Sequence, residues 1–182
     1  MTPVHDSSVD LRRASPVRTL LLLRHAKSSW DDPALDDHDR PLKPRGIKAS
    51  RRMGRLIREQ GLLPEAVFSS TAVRARETLR LLLEEAGSLP LIEYTDRLFH
   101  CDPSEFRLVL KQIGPSITSA MVVGHNPGLE EFLSQITGQQ DSMPTASLAR
   151  IELDLSTWSE FSEGTRGRLL DLWRPKELPH EQ

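Results

Sequence analysis

The sequence predicts an α/β fold of three layers, with a mainly parallel central sheet and helices on both faces. Three observations carry this expectation. Short apolar runs at 19–23, 66–68 and 120–123 have the length and continuity of strands buried on both faces. Between them, apolar residues recur at helical spacing, so strand and helix alternate through the first two thirds of the chain. In the last third, Ala149, Ile151, Leu153 and Leu155 alternate with polar residues, and 168–173 offers a partner, which suits an antiparallel addition at the end of the sheet.

Residues 1–17 mix Ser, Asp, Arg and Pro without periodicity and are expected to form a mobile leader. A single domain is expected over 18–174, followed by a tail at 175–182. The first strand ends directly in Arg24-His25, and a polar, Asp-rich loop follows to Arg40. Ile47, Ser50, Met53, Gly54 and Ile57 mark one face of a helix from Pro44 to a stop at Gly61, with arginines on the other face. The second strand runs into Ser69-Ser70-Thr71. Ala72, Ala75, Leu79, Leu82 and Ala86 then outline a helix that holds Arg74 in its first turn and ends at Gly87.

A weaker strand pattern lies at 91–94. Asp102-Pro103-Ser104-Glu105 reads as an N-cap, a first-turn proline and an acidic third position, opening a helix faced by Phe106, Val109, Leu110 and Ile113. The strand at 120–123 leads through Gly124-His125-Asn126 into a helix opened by Pro127 and faced by Leu129, Phe132, Leu133 and Ile136.

With 182 residues, 37% hydrophobic and 27% charged, the chain is of ordinary globular composition, and its formal charge of -2 gives no basic field to attract nucleic acid or anionic membrane. The apolar run at 20–23 is too short for a signal-peptide core or a membrane span, and a cytoplasmic location is expected. Cys101 is the only cysteine, which excludes an internal disulfide and a cysteine-based metal site.

In open α/β sheets the carboxyl ends of parallel strands face the ligand crevice. Three such ends carry Arg24-His25, the segment Ser69 to Arg74, and His125-Asn126. Two arginines and two histidines meeting there would suit a phosphate dianion, because guanidinium forks match its oxygens.

Those same residues carry a family resemblance. Leu22-Leu23-Arg24-His25-Ala26-Lys27-Ser28 resembles the Arg-His-Gly or Arg-His-Ala signature of the histidine phosphatase (phosphoglycerate-mutase-like) superfamily. The run from Ser69 through Arg74-Ala75-Arg76-Glu77-Thr78 resembles its second motif, and Val122-Val123-Gly124-His125-Asn126 its third. Arg-His-Ala-Lys-Ser, with Asp39-Arg40-Pro41-Leu42 and Arg45-Gly46 downstream, is similar to the SixA branch of phosphohistidine phosphatases.

The resemblance implies that His25 accepts the phosphoryl group, that Arg24 and Arg74 bind it, and that His125 completes the pocket. Lys27 adds charge at the rim, and Asn126 belongs to the substrate-binding set. No metal or cofactor is called for. The implied substrate is phosphohistidine on a partner protein, with a small phosphorylated metabolite or a non-catalytic phosphoprotein-binding role as alternatives. Members that cleave esters place an acid near the leaving group; Asp102 and Glu105 are the candidate acids here, although their pattern also suits helix capping. Asp31 stands where many members place an asparagine.

His5, His38, His100 and His180 read as structural histidines. Arg51, Arg52, Arg55 and Arg58 read as a solvated helical face, and Asp31, Asp32, Asp36, His38 and Asp39 as polar turn residues rather than metal ligands.

Overall fold

A computed structural model describes residues 17–179 of the chain. A six-stranded sheet runs β3-β2-β4-β1-β5-β6, built from β1 (Val17–Arg24), β2 (Ala66–Ser70), β3 (Leu91–Thr95), β4 (Ser119–Gly124), β5 (Leu148–Asp154) and β6 (Gly167–Trp173). The first four pair in parallel, and β5 and β6 add antiparallel beyond β1. Four helices cover it among the described residues: α1 (Pro44–Glu59), α2 (Val73–Ala86), α3 (Pro103–Leu110) and α4 (Gly128–Thr137). The expected three-layer α/β arrangement is therefore present.

Alternation along each strand divides the core in two. Leu20, Leu22, Phe68 and Val122 pack against α3 and α4 through Phe106, Leu110, Phe132 and Leu133. Leu21, Leu23, Val67 and Val123 face the opposite way, onto Met53, Ile57, Leu79 and Leu82 of α1 and α2. Strands buried on both faces need this continuous apolar run, which is why β1, β2 and β4 are conspicuous in the sequence. By contrast β3 is an edge strand, and Leu91, Ile92 and Tyr94 remain exposed on it.

Several expectations need adjustment. β1 begins at Val17, so the expected leader gives way to the sheet one residue early; the rest of that segment, with His5, lies outside the described residues, as does His180. Ile47 is exposed, and Gly46 takes its place on the buried face of α1. A Cβ at Gly46 would collide with the Lys27 carbonyl, and one at Gly54 with the Leu82 carbonyl, so both glycines permit close backbone approach.

The arginine face of α1 is not simply solvated. Arg51 and Arg55 pair with Glu85 of α2 at 3.0 and 3.2 Å, and Arg58 donates to the Glu85 carbonyl at 2.7 Å. Arg52 reaches the expected tail, donating to the Pro175 carbonyl at 2.9 Å and to that of Pro179. Among the described residues, no helix is long and apolar enough to cross a membrane.

Candidate active site

The parallel register aligns the ends of β1, β2 and β4: Arg24 is opposite Gly124, and Ser69 is opposite Val123. Arg24, His25, Arg74 and His125 thereby meet at one sheet edge, as the motifs imply. The His25 and His125 ring centroids are 4.8 Å apart. Arg74, whose side chain is almost wholly buried, directs Nε–H toward His25 Nε2 at 3.4 Å and Nη2–H to His125 Nδ1 at 3.2 Å.

The hydrogen bonds select the imidazole tautomers. His25 Nδ1–H donates to the Ala26 carbonyl at 2.8 Å, which leaves the lone pair on Nε2, the nitrogen facing Arg74. His125 accepts at Nδ1 from Arg74, so its proton is on Nε2 and is donated to Ser70 Oγ at 2.8 Å. Thr78 explains the spacing of the Arg-Ala-x-x-Thr motif. Its Oγ1 accepts the Ala26 N–H at 2.9 Å and donates to the Arg74 carbonyl at 2.6 Å, tying the backbone after His25 to the turn bearing the arginine.

Burial is the main reason why His25 resists protonation, with its pKa lowered to about 3; the Ala26 carbonyl opposes this, and the charges of Arg74, Arg24 and Arg40 add to it. Desolvation therefore outweighs the charges of the neighbouring guanidinium groups. His125 is lowered to about 2, again chiefly by burial, then by His25, Arg74 and His100.

These values set a pH dependence of stability. An ordinary imidazole has a pKa of 6.5, and these two fall far below it when folded, so below pH 6.5 the unfolded chain binds protons that the folded chain excludes. Stability contributed by the neutral rings is complete above pH 6.5 and declines as the pH falls toward their folded values. Between pH 6 and 5, each histidine should cost about 1 kcal/mol. Urea unfolding at pH 7.5, 6.0 and 5.0 should show this decline, and replacing both histidines with asparagine should flatten it.

Arg24 donates from Nη1 to the Met143 carbonyl at 2.8 Å, while its buried Nε–H has no partner among the described residues. Asn126 Nδ2 donates to the same carbonyl at 3.2 Å and its Oδ1 is unpaired, so Arg24 and Asn126 are held by one loop residue. Lys27 is half-buried beside the site, and no hydrogen bond or ion pair engages its ammonium group among the described residues. Asp31 lies apart, exposed and paired with Lys43 at 3.0 Å.

The candidate acids are not drawn in. Asp102 occupies the N-cap of α3 without a side-chain capping bond, its carbonyl instead accepting the Glu105 N–H at 3.1 Å. Glu105 pairs with Arg97 at 3.6 Å. Neither carboxylate bonds to His25, Arg24, Arg74 or His125 among the described residues.

Sequence reasoning missed three residues that are present. Asp37, in a short 3₁₀ turn (Asp37–Asp39), receives Arg74 Nη2 on Oδ2 at 2.9 Å and Arg40 Nη1 on Oδ1 at 2.5 Å. Its backbone carbonyl also accepts from Arg74. Arg40 is buried beneath Trp30, its guanidinium 3.2 Å from the ring centroid, and donates to Ser28 Oγ at 2.7 Å. His100 Nε2–H donates to Asp37 Oδ2 at 2.8 Å, and its ring is 5.3 Å from that of His125. Burial alone would raise the Asp37 pKa, yet the hydrogen bonds from His100 and Arg40 and the charge of Arg74 hold its carboxyl well below the usual range.

Comparison with known proteins identifies the family. A family model described as the histidine phosphatase superfamily (branch 1) matches residues 20–106. An uncharacterized protein of Mycobacterium tuberculosis is 32% identical over 153 residues, covering 78% of this chain and 93% of its own. A 2,3-bisphosphoglycerate-dependent phosphoglycerate mutase of Thermobifida fusca is 44% identical over 71 residues, which cover 38% of this chain and 29% of the mutase. Among solved structures, a protein of Agrobacterium tumefaciens assigned to the SixA phosphohistidine phosphatases superposes with a TM-score of 0.74 at 28% identity, covering 87% of this chain and 98% of that one. With sequence, fold and chain length in agreement, the chain belongs to the histidine phosphatase superfamily and has the fold of its SixA-type members.

Proposed function

We propose that this protein is a phosphatase that forms a phosphohistidine intermediate on His25 and acts on phosphohistidine in a partner protein. The observation that carries the reading is the tautomer of His25: with Nδ1–H bound to the Ala26 carbonyl, Nε2 carries no proton and its lone pair, engaged only by the long 3.4 Å contact from Arg74 Nε–H, lies against the guanidinium. An uncharged nucleophile inside fixed positive charge is what in-line phosphoryl transfer requires, because the cations stabilise the equatorial oxygens as the bonds to phosphorus change. Arg24 and Arg74 bind the phosphoryl group in this scheme, His125 completes the pocket by holding Arg74, and Lys27 and Asn126 flank it. Arginine supplies the charge, so the transfer proceeds without a metal.

The substrate class follows from access. Between α2 and β4 the chain has only β3, a short 3₁₀ turn (Asp96–Leu98) and α3, with no further helix or sheet to close over the site. Without such an insertion the mouth can take a side chain presented by a protein, and a mutase reaction, which must close over its phosphoenzyme to exclude water, is disfavoured. A phosphohistidine P–N bond is also labile, in keeping with the remote positions of Asp102 and Glu105.

The test compares turnover of a phosphohistidine-bearing histidine phosphotransfer domain with that of sugar and nucleotide phosphates. The phosphoprotein should be preferred in kcat/KM. A preference for a small ester would establish the phosphomonoesterase alternative, and phosphoprotein binding without phosphate release would establish a non-catalytic module.

A further inference from the structure

Transfer to His25 is an in-line displacement, so the bond that breaks lies on the far side of phosphorus from His25 Nε2. His25 and His125 are buried, at 8% and 3% exposure, and form the floor of the site. The leaving group must therefore face the mouth, where the side chains of His100 and Asp37 are 51% and 36% exposed. Building on the phosphoryl-transfer reading above, we propose that His100, oriented by Asp37, is the catalytic acid and base that protonates the leaving group and then deprotonates the attacking water.

A proton inventory of the arginines and of the groups around Asp37 and His125 supports this assignment. The guanidinium groups of Arg24, Arg40 and Arg74 are fixed cations. Asp37 accepts from three side chains and has no proton to give. Both nitrogens of His125 are engaged, by Ser70 and Arg74, and both nitrogens of His38 are engaged, by Asp39 and Thr71. His100 uses only Nε2, toward Asp37, and its Nδ1 has no partner among the described residues. A half-exposed histidine whose second nitrogen is unpaired among the described residues, and whose first is held by a carboxylate, has the arrangement of a general acid–base.

The backbone adds an independent sign. His100 has φ +49°, a left-handed conformation uncommon for a residue with a side chain. The neighbouring Cys101 carbonyl is pressed against Gly128 at the start of α4, where a Cβ would collide with it. Tight packing thus holds the connection after β3 in a costly conformation that places the His100 ring 4.3 Å from Phe99 and beside His125.

In the first half-reaction the His25 Nε2 lone pair forms a bond to phosphorus. The electron pair of the breaking bond goes to the leaving atom, which takes a proton from the His100 imidazolium. In the second half-reaction neutral His100 takes a proton from water as its oxygen attacks phosphorus. The P–N electrons return to His25, and phosphate leaves with His100 protonated again.

Single-turnover labelling of His25 with radiolabelled phosphoryl donors tests this in the full chain and in His100→Gln. Phenyl phosphate needs an acid, p-nitrophenyl phosphate needs one much less, and phosphoramidate releases an amine that already carries its protons. The substitution should slow labelling from phenyl phosphate by about 10²-fold, affect p-nitrophenyl phosphate less, and leave phosphoramidate unchanged. An equal loss from all three donors, or no loss from phenyl phosphate, would overturn the assignment of His100 while leaving His25 as nucleophile. If the unsubstituted protein is labelled by none of them, the phosphoryl-transfer reading fails and this proposal with it.

Discussion

Replacing His25 with alanine should abolish turnover, by a factor on the order of 10⁴ to 10⁶ as for other covalent nucleophiles, and no labelled phosphoenzyme should be trapped. The size of the effect follows from what remains. Arg24 and Arg74 can still bind a phosphoryl group, but water would have to attack phosphorus directly, without the lone pair that the Ala26 carbonyl and Arg74 align at Nε2. Binding and chemistry should separate as a result. Affinity for inorganic phosphate, measured by calorimetry, should persist in His25→Ala while turnover disappears. Retention of full activity would mean that the nucleophile is another group or water itself. Because burial excludes protons from His25 down to about pH 3, the acid limb of kcat/KM should not shift toward pH 6.5 in the unsubstituted enzyme.

The layered fold was legible because three of its strands are buried on both faces and have no polar interruption, and because each helix presents a single apolar face. The site was legible where its residues are fixed to a strand end: Arg24 closes β1, and His25 and His125 follow β1 and β4 directly. Arg74 was recoverable because the first turn of α2 places it beyond β2. Asp37 and His100 lacked such anchors. They are 63 positions apart and meet only through the tertiary fold. Asp37 is surrounded by Asp31, Asp32, Asp36 and Asp39, and nothing in a polar loop distinguishes the one aspartate that faces inward. One signal was present, namely Arg40 three residues later, a spacing that brings opposite charges together on one turn. His100 had none: its role depends on a left-handed backbone and on the packing of Cys101 against Gly128, and neither has periodicity to read.

Arg74→Ala should lower kcat/KM by about 10³-fold, the upper end of the loss for removing one preorganised donor to a developing oxyanion, because this guanidinium serves several partners at once. It lies against His25 Nε2, holds the His125 tautomer and binds both the carbonyl and the carboxylate of Asp37. Lysine in its place keeps a charge but loses the planar fork, so Arg74→Lys should regain stability more fully than activity. The Asp37 carboxylate provides the control. Without Arg74 it retains Arg40 and His100 and is partly exposed, so no unpaired charge is left buried, and Asp37→Asn combined with Arg74→Ala should regain neither stability nor turnover. A double-mutant cycle measured by urea unfolding and by kcat/KM separates the two contributions. If the added Asp37→Asn substitution restores activity along with stability, Arg74 acts by neutralising Asp37 and not by binding the transferred group.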